Sequence, residues 1–252
     1  MTIFDGVGVA LVTLFDADLS VDLEATVELA GELVAEGMRA VVVGGSTGEA
    51  YALDNAERTS LITAVREALP ADVPVIAGTG APSARQAAQL TMMAADAGAD
   101  AALVLSPPRS ADVRPYYDVV AQAAGDLPLL AYHFPAASAP GINLAHLREL
   151  PVVGLKDSTG DPDRLLEELT TYQGQVYVGS SALLTQAGAL GAVGAILALA
   201  NSQPEDCVAA FAGDAQAQLR LAPHHLSLPP FPQGIKDQVA ARWGYPAHSR
   251  MG

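Results

Sequence analysis

The sequence predicts a single (β/α)8 TIM barrel, in which eight parallel strands alternate with helices, followed by a short C-terminal helical extension. Short apolar runs alternate with longer amphipathic runs along the 252-residue chain, and they make eight strand–helix units. The apolar runs are continuous, as expected for parallel strands that are buried on both faces. A chain of this length suits one barrel.

Each predicted strand is a short run rich in valine, leucine, isoleucine or alanine. Glycine or polar residues follow most of these runs, which is typical of loops at strand ends. The eight strands are predicted at 7–15, 40–43, 73–77, 101–105, 127–132, 152–156, 176–178 and 193–199.

The predicted helices show apolar residues three or four positions apart. Asp22 is placed to cap the first helix, and Asp54 begins the second, which Pro70 ends. Pro82 suits the first turn of the third helix. The helices between the strands are predicted at 23–36, 54–69, 83–97, 113–124, 144–150, 163–172 and 183–190.

We assign residues 1–203 to the barrel and 204–252 to a helical extension of the same domain, with a linker at 222–232. The alternative fold is an open doubly wound sheet. The Gly-x-Gly-x-x-Gly motif that such a sheet often carries after its first strand is absent, which favours the barrel.

The composition indicates a soluble, cytoplasmic protein. The net charge of -15 gives no basic surface for nucleic acid or for an anionic membrane. The single cysteine, Cys207, excludes an intrachain disulfide. The N-terminus lacks the features of a signal peptide, and the longest apolar run, 187–200, is short and glycine-rich for a membrane span. The expected partners are small molecules.

Lys156 is the first candidate catalytic residue, because it follows an apolar run near the end of the sixth strand. Burial lowers the pKa of a lysine and leaves more of the neutral amine, the form that attacks carbonyl groups. The alternative is a structural lysine that is solvated or paired with Asp157 or Asp161. Residue types and spacing leave both interpretations open.

Two further strand ends carry polar groups, and active sites of such barrels lie where strand ends meet. After the second strand, Gly45, Ser46 and Thr47 begin a turn whose N–H groups and hydroxyls suit a carboxylate, unless they only satisfy their own backbone. Tyr132, at the end of the fifth strand, is either a proton shuttle or a half-buried aromatic. Ile196, near the end of the eighth strand, is expected in the core, with its carbonyl facing the site.

Metal and cofactor motifs are absent from the sequence. The five histidines are scattered, and neither a His-Glu-x-x-His motif nor a P-loop is present. We therefore expect no metal and no cofactor.

Four segments together resemble the dihydrodipicolinate synthase/N-acetylneuraminate lyase superfamily of class I, pyruvate-type aldolases. They are similar to the family's carboxylate-binding loop, its Tyr-x-x-Pro motif, its Schiff-base lysine strand and its glycine-rich eighth strand. In this sequence they are Gly44-Gly45-Ser46-Thr47-Gly48-Glu49, Tyr132-His133-Phe134-Pro135, Gly154-Leu155-Lys156-Asp157-Ser158-Thr159-Gly160-Asp161 and Gly191-Ala192-Val193-Gly194-Ala195-Ile196 with Asn201.

The resemblance implies a role for each candidate residue. Lys156 would form an imine with a 2-oxo acid such as pyruvate, and Tyr132 would relay protons. Ser46 and Thr47 would hold the substrate carboxylate, with Ser46 also in the proton relay. Ile196 would line the pyruvate pocket through its backbone. The resemblance also implies a homodimer or homotetramer.

Two segments depart from the family pattern. Where the lysine-pathway synthases carry an arginine after Tyr-x-x-Pro, this chain has no cation at 136–138. Where the family often has a tyrosine pair after the fourth strand, this chain has Ser106-Pro107-Pro108-Arg109. Tyr116 and Tyr117 come later and are expected to pack in a helix. Arg109 is a candidate replacement for the missing charge.

These features lead to three hypotheses of function. The first is a Schiff-base lyase or aldolase that joins a pyruvate-type 2-oxo acid to an aldehyde, of the 2-keto-3-deoxy sugar acid or 4-hydroxy-2-oxoglutarate type. The second is 4-hydroxy-tetrahydrodipicolinate synthase of lysine biosynthesis. The third is a non-catalytic homologue that binds small acids, against which the presence of both Lys156 and Tyr132 argues.

Overall fold

Eight parallel strands close into a barrel in the computed structural model, which describes residues 2–251. Each strand pairs with its neighbours in chain order, and the eighth pairs with the first. The predicted (β/α)8 barrel is therefore confirmed. The strands are β1 (Gly6–Ala10), β2 (Val41–Val43), β3 (Val75–Gly78), β4 (Ala101–Leu105), β5 (Leu129–His133), β6 (Gly154–Asp157), β7 (Gln175–Val178) and β8 (Gly194–Leu197).

Helices connect successive strands and continue after the last one. Those between the strands are α1 (Leu23–Ala35), α2 (Asn55–Ala68), α3 (Ala84–Asp96), α4 (Arg114–Ala124), the single turn α5 (Leu144–Leu147), α6 (Pro162–Thr171) and α7 (Leu184–Ala189). The C-terminal helices are α8 (Pro204–Phe211), α9 (Ala215–Leu226) and α10 (Gln233–Trp243). None of the helices described between residues 2 and 251 combines the length and apolar character that a bilayer crossing requires.

Side-chain caps explain where the first two helices begin. The Asp22 side chain accepts a hydrogen bond from the Ala25 N–H at 3.0 Å and starts α1. Asp54 and Glu57 form a reciprocal capping box at the start of α2. Such caps satisfy N–H groups that lack partners in the first turn. Both starts were predicted from the sequence.

The first strand is shorter than the predicted 7–15, because its N–H groups find other partners. The Val12 N–H donates to Asn201 Oδ1 at 3.0 Å, and the Leu14 N–H donates to Thr26 Oγ1 at 3.0 Å. These side chains draw the backbone away from the sheet, although residues 11–15 remain buried and apolar apart from Thr13.

The predicted linker 222–232 is wrong in its first half, because α9 continues through Pro223 to Leu226. Leu221 is fully buried in the core, and His225 contacts Ser181, so tertiary contacts hold the last turns of α9 despite the proline. Buried residues of α8, α9 and α10 share one apolar cluster with barrel residues such as Val7 and Val9. The division at residue 203 remains a prediction.

Side chains alternate between the interior of the barrel and the layer under the helices. In β6, Leu155 packs in the outer layer with Val104 and Leu147. Lys156 is the next residue, so its side chain points inward. On β5, Leu130 and Tyr132 belong to the interior cluster. The strand geometry therefore directs Lys156 and Tyr132 into the same space.

Candidate active site

Lys156 and Tyr132 lie side by side on neighbouring strands. They are direct partners in the register of β5 and β6. The Lys156 Nζ atom lies 4.4 Å from the centre of the Tyr132 ring. The two side chains thus share one end of the barrel interior, as the sequence predicted.

The Lys156 amine is buried without a partner. The residue is 5% exposed, and no hydrogen bond or ion pair reaches its Nζ atom within the described residues. Burial lowers the pKa of Lys156 from 10.5 to about 7. A large share of this amine is therefore neutral at physiological pH and able to act as a nucleophile.

Both nearby carboxylates that were considered as partners of Lys156 are engaged elsewhere. The Asp157 side chain lies on the opposite face of β6 and binds Arg164 Nε at 2.6 Å. The Asp161 side chain caps α6 and accepts from the Asp163 N–H at 2.9 Å. The interpretation of Lys156 as a lysine paired with either acid is therefore wrong.

The Tyr132 hydroxyl lies in a small network of hydroxyls. Ser158 Oγ donates to it at 3.4 Å, and the Ser46 side chain lies close enough to lower its pKa. Burial raises the pKa of Tyr132 to about 12, although Ser158 and Ser46 act to lower it. Tyr132 therefore keeps its proton at neutral pH and can donate it or pass it along the network.

Hydrogen bonds from Thr13 and within the loop fix the loop after β2, which carries Ser46 and Thr47. The Thr13 hydroxyl donates to the Gly48 carbonyl at 2.8 Å, and the Gly48 N–H donates to the Gly45 carbonyl at 3.1 Å. In the described part of the chain, neither the Ser46 nor the Thr47 hydroxyl bonds to the backbone of the loop. Both remain able to bind a ligand.

A cavity of about 300 Å³ joins four of the predicted residues. Ser46, Thr47, Tyr132 and Lys156 line it. Gly45, which precedes Ser46 in the sequence, does not line the cavity. The Ile196 side chain is fully buried in the barrel interior, which is the core role predicted for it, and its neighbour Leu197 lines the cavity. The role of the Ile196 carbonyl stays a prediction.

Other lining residues were missed in the sequence. Ser158 comes two positions after Lys156 and so faces the same side, a spacing that could have identified it. Ser180 and Ser181 follow β7, and they sit in a segment that the strand prediction already placed at the barrel end. His225 comes from α9, and its position depends on packing that no local pattern reveals.

Gly179 makes room for the Lys156 side chain. A Cβ atom at this position would lie 3.0 Å from Lys156 Cε and much closer to Ser158 Oγ. Any other residue would push the lysine or the serine out of place. The glycine after β7 is therefore required by the site rather than by its backbone conformation.

The residues considered as replacements for missing family groups lie outside the cavity. Arg109 is exposed, with φ of 62°, and does not line the cavity. The Tyr116 hydroxyl donates to the Ala81 carbonyl at 2.9 Å, and the Tyr117 hydroxyl to the Val104 carbonyl at 2.8 Å. Both tyrosines are packing residues of α4, as expected. Within this chain, Arg109 supplies no charge to the site.

Glu49, the last residue of the loop motif, is a buried anchor. Its carboxylate accepts a hydrogen bond from Lys236 Nζ of α10 and, at 2.8 Å each, from the N–H groups of Arg250 and Met251. Glu49 itself adopts a left-handed conformation with φ of 55°. The C-terminal segment thus binds the end of the loop that carries Ser46 and Thr47.

Among the described residues, no three histidine, cysteine, aspartate or glutamate side chains are grouped as metal ligands would be. The side chains that line the cavity supply an amine, a phenol, an imidazole and several hydroxyls.

Comparison with known proteins agrees with this geometry. The model of the dihydrodipicolinate synthetase family matches residues 3–233. The 4-hydroxy-tetrahydrodipicolinate synthase of Thioalkalivibrio sulfidiphilus is 36% identical over 228 residues, which are 85% of this chain and 77% of that protein. The synthase of Pseudomonas aeruginosa is 34% identical over 238 residues, or 87% and 81% of the two chains.

Solved structures show the same fold. The chloride-inhibited dihydrodipicolinate synthase of Acinetobacter baumannii, complexed with pyruvate, has a TM-score of 0.84 and 32% identity over 93% of this chain and 87% of that one. YagE, a prophage protein of the dihydrodipicolinic acid synthase family from E. coli K12, also in complex with pyruvate, has a TM-score of 0.88 and 25% identity, with 98% and 92% covered. This chain therefore belongs to the dihydrodipicolinate synthetase family of class I lyases.

Proposed function

We propose that the chain is a Schiff-base-forming aldolase that joins pyruvate to an aldehyde that carries no carboxylate of its own. In the reverse direction it would cleave the product into pyruvate and the aldehyde, as in the cleavage of 2-keto-3-deoxy sugar acids. The observation that carries this proposal is the unpaired amine of Lys156, which lies against Tyr132 inside the cavity. A binding protein has no need of a buried lysine whose pKa is lowered to about 7. This argues against the non-catalytic alternative.

The reaction starts with the neutral Lys156 amine. It adds to C2 of pyruvate, and loss of water gives an imine. Loss of a proton from C3 gives an enamine, whose C3 forms a bond to the aldehyde carbon while the aldehyde oxygen takes up a proton. Water then hydrolyses the imine and frees Lys156. Tyr132 is placed to carry these protons, since its hydroxyl accepts a hydrogen bond from Ser158 and shares the cavity with Ser46.

The loop after β2 is the proposed site of the pyruvate carboxylate. Ser46 and Thr47 line the cavity with Lys156. Their hydroxyls and the N–H groups of the loop, which begins at Gly45, offer hydrogen-bond donors without a fixed positive charge. Ser46 thus serves both the carboxylate and the Tyr132 network.

The charges that line the cavity favour a neutral aldehyde over one that carries a carboxylate. Lys156 is the only lysine or arginine among the lining residues, and the charge of its protonated imine lies next to the pyruvate carboxylate. A second carboxylate in the cavity would remain without a fixed countercharge, which is costly in a desolvated site. This favours a neutral aldehyde, and among the predicted types it favours sugar acids over 4-hydroxy-2-oxoglutarate.

A second candidate function is 4-hydroxy-tetrahydrodipicolinate synthase. The observation in its favour is the name of the curated relatives, among them a protein of Synechococcus sp. that is 37% identical over 205 residues. Against it stands the sequence at 136–138, which has no arginine. Family membership also leads us to infer a homodimer or homotetramer in the cytoplasm. Light scattering would measure the oligomeric state.

Pyruvate trapping and an aldehyde screen test the proposal. The protein is incubated with pyruvate and reduced with borohydride, and its intact mass is measured by mass spectrometry. We expect the mass of one reduced pyruvate, and its absence would contradict the proposal. Condensation of pyruvate is then compared between glyceraldehyde and aspartate semialdehyde, which carries a carboxylate. Faster turnover of the semialdehyde would favour the synthase instead.

A further inference from the structure

We propose that His225 and Ser181 bind a hydroxyl group of the aldehyde substrate and so select hydroxylated aldehydes. This inference rests on the proposed function and names the residues that choose its second substrate. The two residues come from different parts of the chain. His225 lies in the last turn of α9, and Ser181 follows β7.

The two side chains form one unit in the cavity wall. His225 Nδ1 lies 2.8 Å from Ser181 Oγ, and both residues line the cavity that contains Lys156. Ser181 is buried, whereas His225 is partly exposed. The hydrogen bond leaves the Nε2 atom of His225 without a partner in the described part of the chain.

A second contact of α9 fixes this unit in place. Gln218, seven residues before His225 and thus on the same face of the helix, donates from Nε2 to the Ser181 carbonyl at 2.8 Å. Its Oε1 atom accepts from the Thr185 N–H at 3.2 Å. The helix is therefore held to the segment after β7 at two levels. A ligand meets a prearranged pair and does not have to order it.

The chemistry of the pair suits a hydroxyl. If Ser181 donates to Nδ1, the Nε2 atom carries the proton and donates; in the other tautomer Nε2 accepts. A hydroxyl satisfies either state, because it both donates and accepts. A carboxylate only accepts, so it is satisfied in only one of the two tautomers, and no arginine lines the cavity to balance its charge.

The surroundings of the pair match a short polyhydroxylated chain. Ser158 and Ser180 line the same cavity and supply further hydroxyls. Leu228 and Phe231, which follow α9, add apolar surface to the lining. Such a mixed lining holds the carbon chain by contact and reads its hydroxyl groups by hydrogen bonds.

The test compares two aldehydes of equal length that differ only in hydroxyl groups. Condensation of pyruvate with D-glyceraldehyde and with propanal gives a ratio of two kcat/KM values. In His225→Leu we expect the ratio of the glyceraldehyde value to the propanal value to fall roughly tenfold or more. The variant loses the hydrogen bond to the substrate hydroxyl and also the hydrogen bond to Ser181. Trapping of pyruvate should persist, and any loss with propanal should be much smaller than the loss with D-glyceraldehyde.

Two further variants serve as controls. His224→Leu makes the same change one residue away, outside the cavity lining, and should keep the ratio of the wild type. His225→Gln retains a group that donates and accepts, and should restore part of the ratio. A purely structural role of His225 would lower the rates with both aldehydes alike.

The possible failures are distinguishable. An unchanged ratio in His225→Leu, or an equal loss with both aldehydes while trapping is intact, would overturn this inference alone. A selective loss of activity with aspartate semialdehyde would show that the pair binds a carboxylate and would also overturn it. Absence of pyruvate trapping in the wild type would overturn the proposed function and this inference with it.

Discussion

The chain has two lysines, Lys156 and Lys236, and both are buried. Each amine lies over an aromatic ring, at 4.4 Å from the centre of Tyr132 for Lys156 and at 4.2 Å from that of Phe15 for Lys236. Only Lys156 faces the 300 Å³ cavity. The two sites thus share burial and an aromatic neighbour, and they differ in partners and access.

Lys236 is bound by two acceptors within the protein. Its amine donates to the Glu49 carboxylate and, at 2.7 Å, to the His248 carbonyl. Burial lowers the pKa of Lys236, while the hydrogen bond and charge of Glu49 raise it. For Lys156, burial is the cause of the lowered pKa, and no carboxylate opposes it.

This difference separates a structural lysine from a candidate nucleophile. Burial alone is common to both, so it cannot identify the reactive one. The absence of a counter-ion leaves a large share of the Lys156 amine neutral, and the cavity gives it access to a substrate. Lys236 instead binds Glu49, which ends the loop that carries Ser46 and Thr47. The following predictions test this division of roles.

The largest effect is expected from Lys156→Met on activity. The variant keeps the volume of the side chain and removes the amine, so we expect turnover to fall by about 10⁴-fold or more and pyruvate trapping to disappear. Steady-state kinetics measure the loss. Lys236→Met, the same substitution at the other lysine, should retain trapping, and a similar loss there would contradict the assignment.

The stability of Lys156→Met should depend on pH in a defined way. The pKa of Lys156 is about 7 in the folded chain against 10.5 for the ordinary group, so between these values only the unfolded chain binds the proton. Stability of the wild type therefore rises with pH across this window. Below pH 7, the free energy of unfolding of the variant should exceed that of the wild type by as much as about 5 kcal/mol. This difference should decrease toward pH 10.5.

Urea unfolding of both proteins at several pH values between 7 and 9.5 measures this difference. Groups common to both chains cancel in the comparison. A difference that does not change with pH would mean that the Lys156 pKa is close to its ordinary value, which would weaken the case for a neutral amine.

Lys236→Met should lower the free energy of unfolding by about 3 kcal/mol, because it leaves Glu49 buried without its cation. The N–H groups of Arg250 and Met251 still bind Glu49 and limit the loss. Adding Glu49→Gln removes the unpaired charge and should recover part of the stability. Equal stabilities of the two variants in urea unfolding would argue against a charged pair.

The smallest effect is expected for Arg250→Ala. The Arg250 guanidinium binds Glu57 at 2.6 Å, but both side chains are partly exposed, so the pair is worth about 0.5–1 kcal/mol. The backbone N–H of residue 250 still binds Glu49 in the variant. Thermal unfolding should therefore change much less than in Lys236→Met, and a loss of similar size would show that the side chain of Arg250 holds the segment.

Local patterns predicted most of the fold. The fourth strand was predicted at 101–105 and lies at Ala101–Leu105, because a continuous apolar run between polar residues defines it without outside help. The first strand was predicted too long, because Asn201, which binds the Val12 N–H, is 189 positions away in the sequence. Such a contact leaves no trace in a local pattern.

The same limit divides the candidate site. Lys156, Tyr132, Ser46 and Thr47 were predicted because strand ends meet at one end of a barrel, and the structure brings them together in one cavity. His225 was missed, since its place depends on how α9 docks.

The most direct test of the central claim locates the trapped pyruvate. The native protein is incubated with pyruvate, reduced with borohydride and cleaved at arginine, which places the two lysines in the peptides 149–164 and 221–242. Mass spectrometry then compares these peptides. We predict a label on Lys156 and none on Lys236. A label on Lys236, or equal labelling of both, would contradict the assignment of Lys156 as the nucleophile.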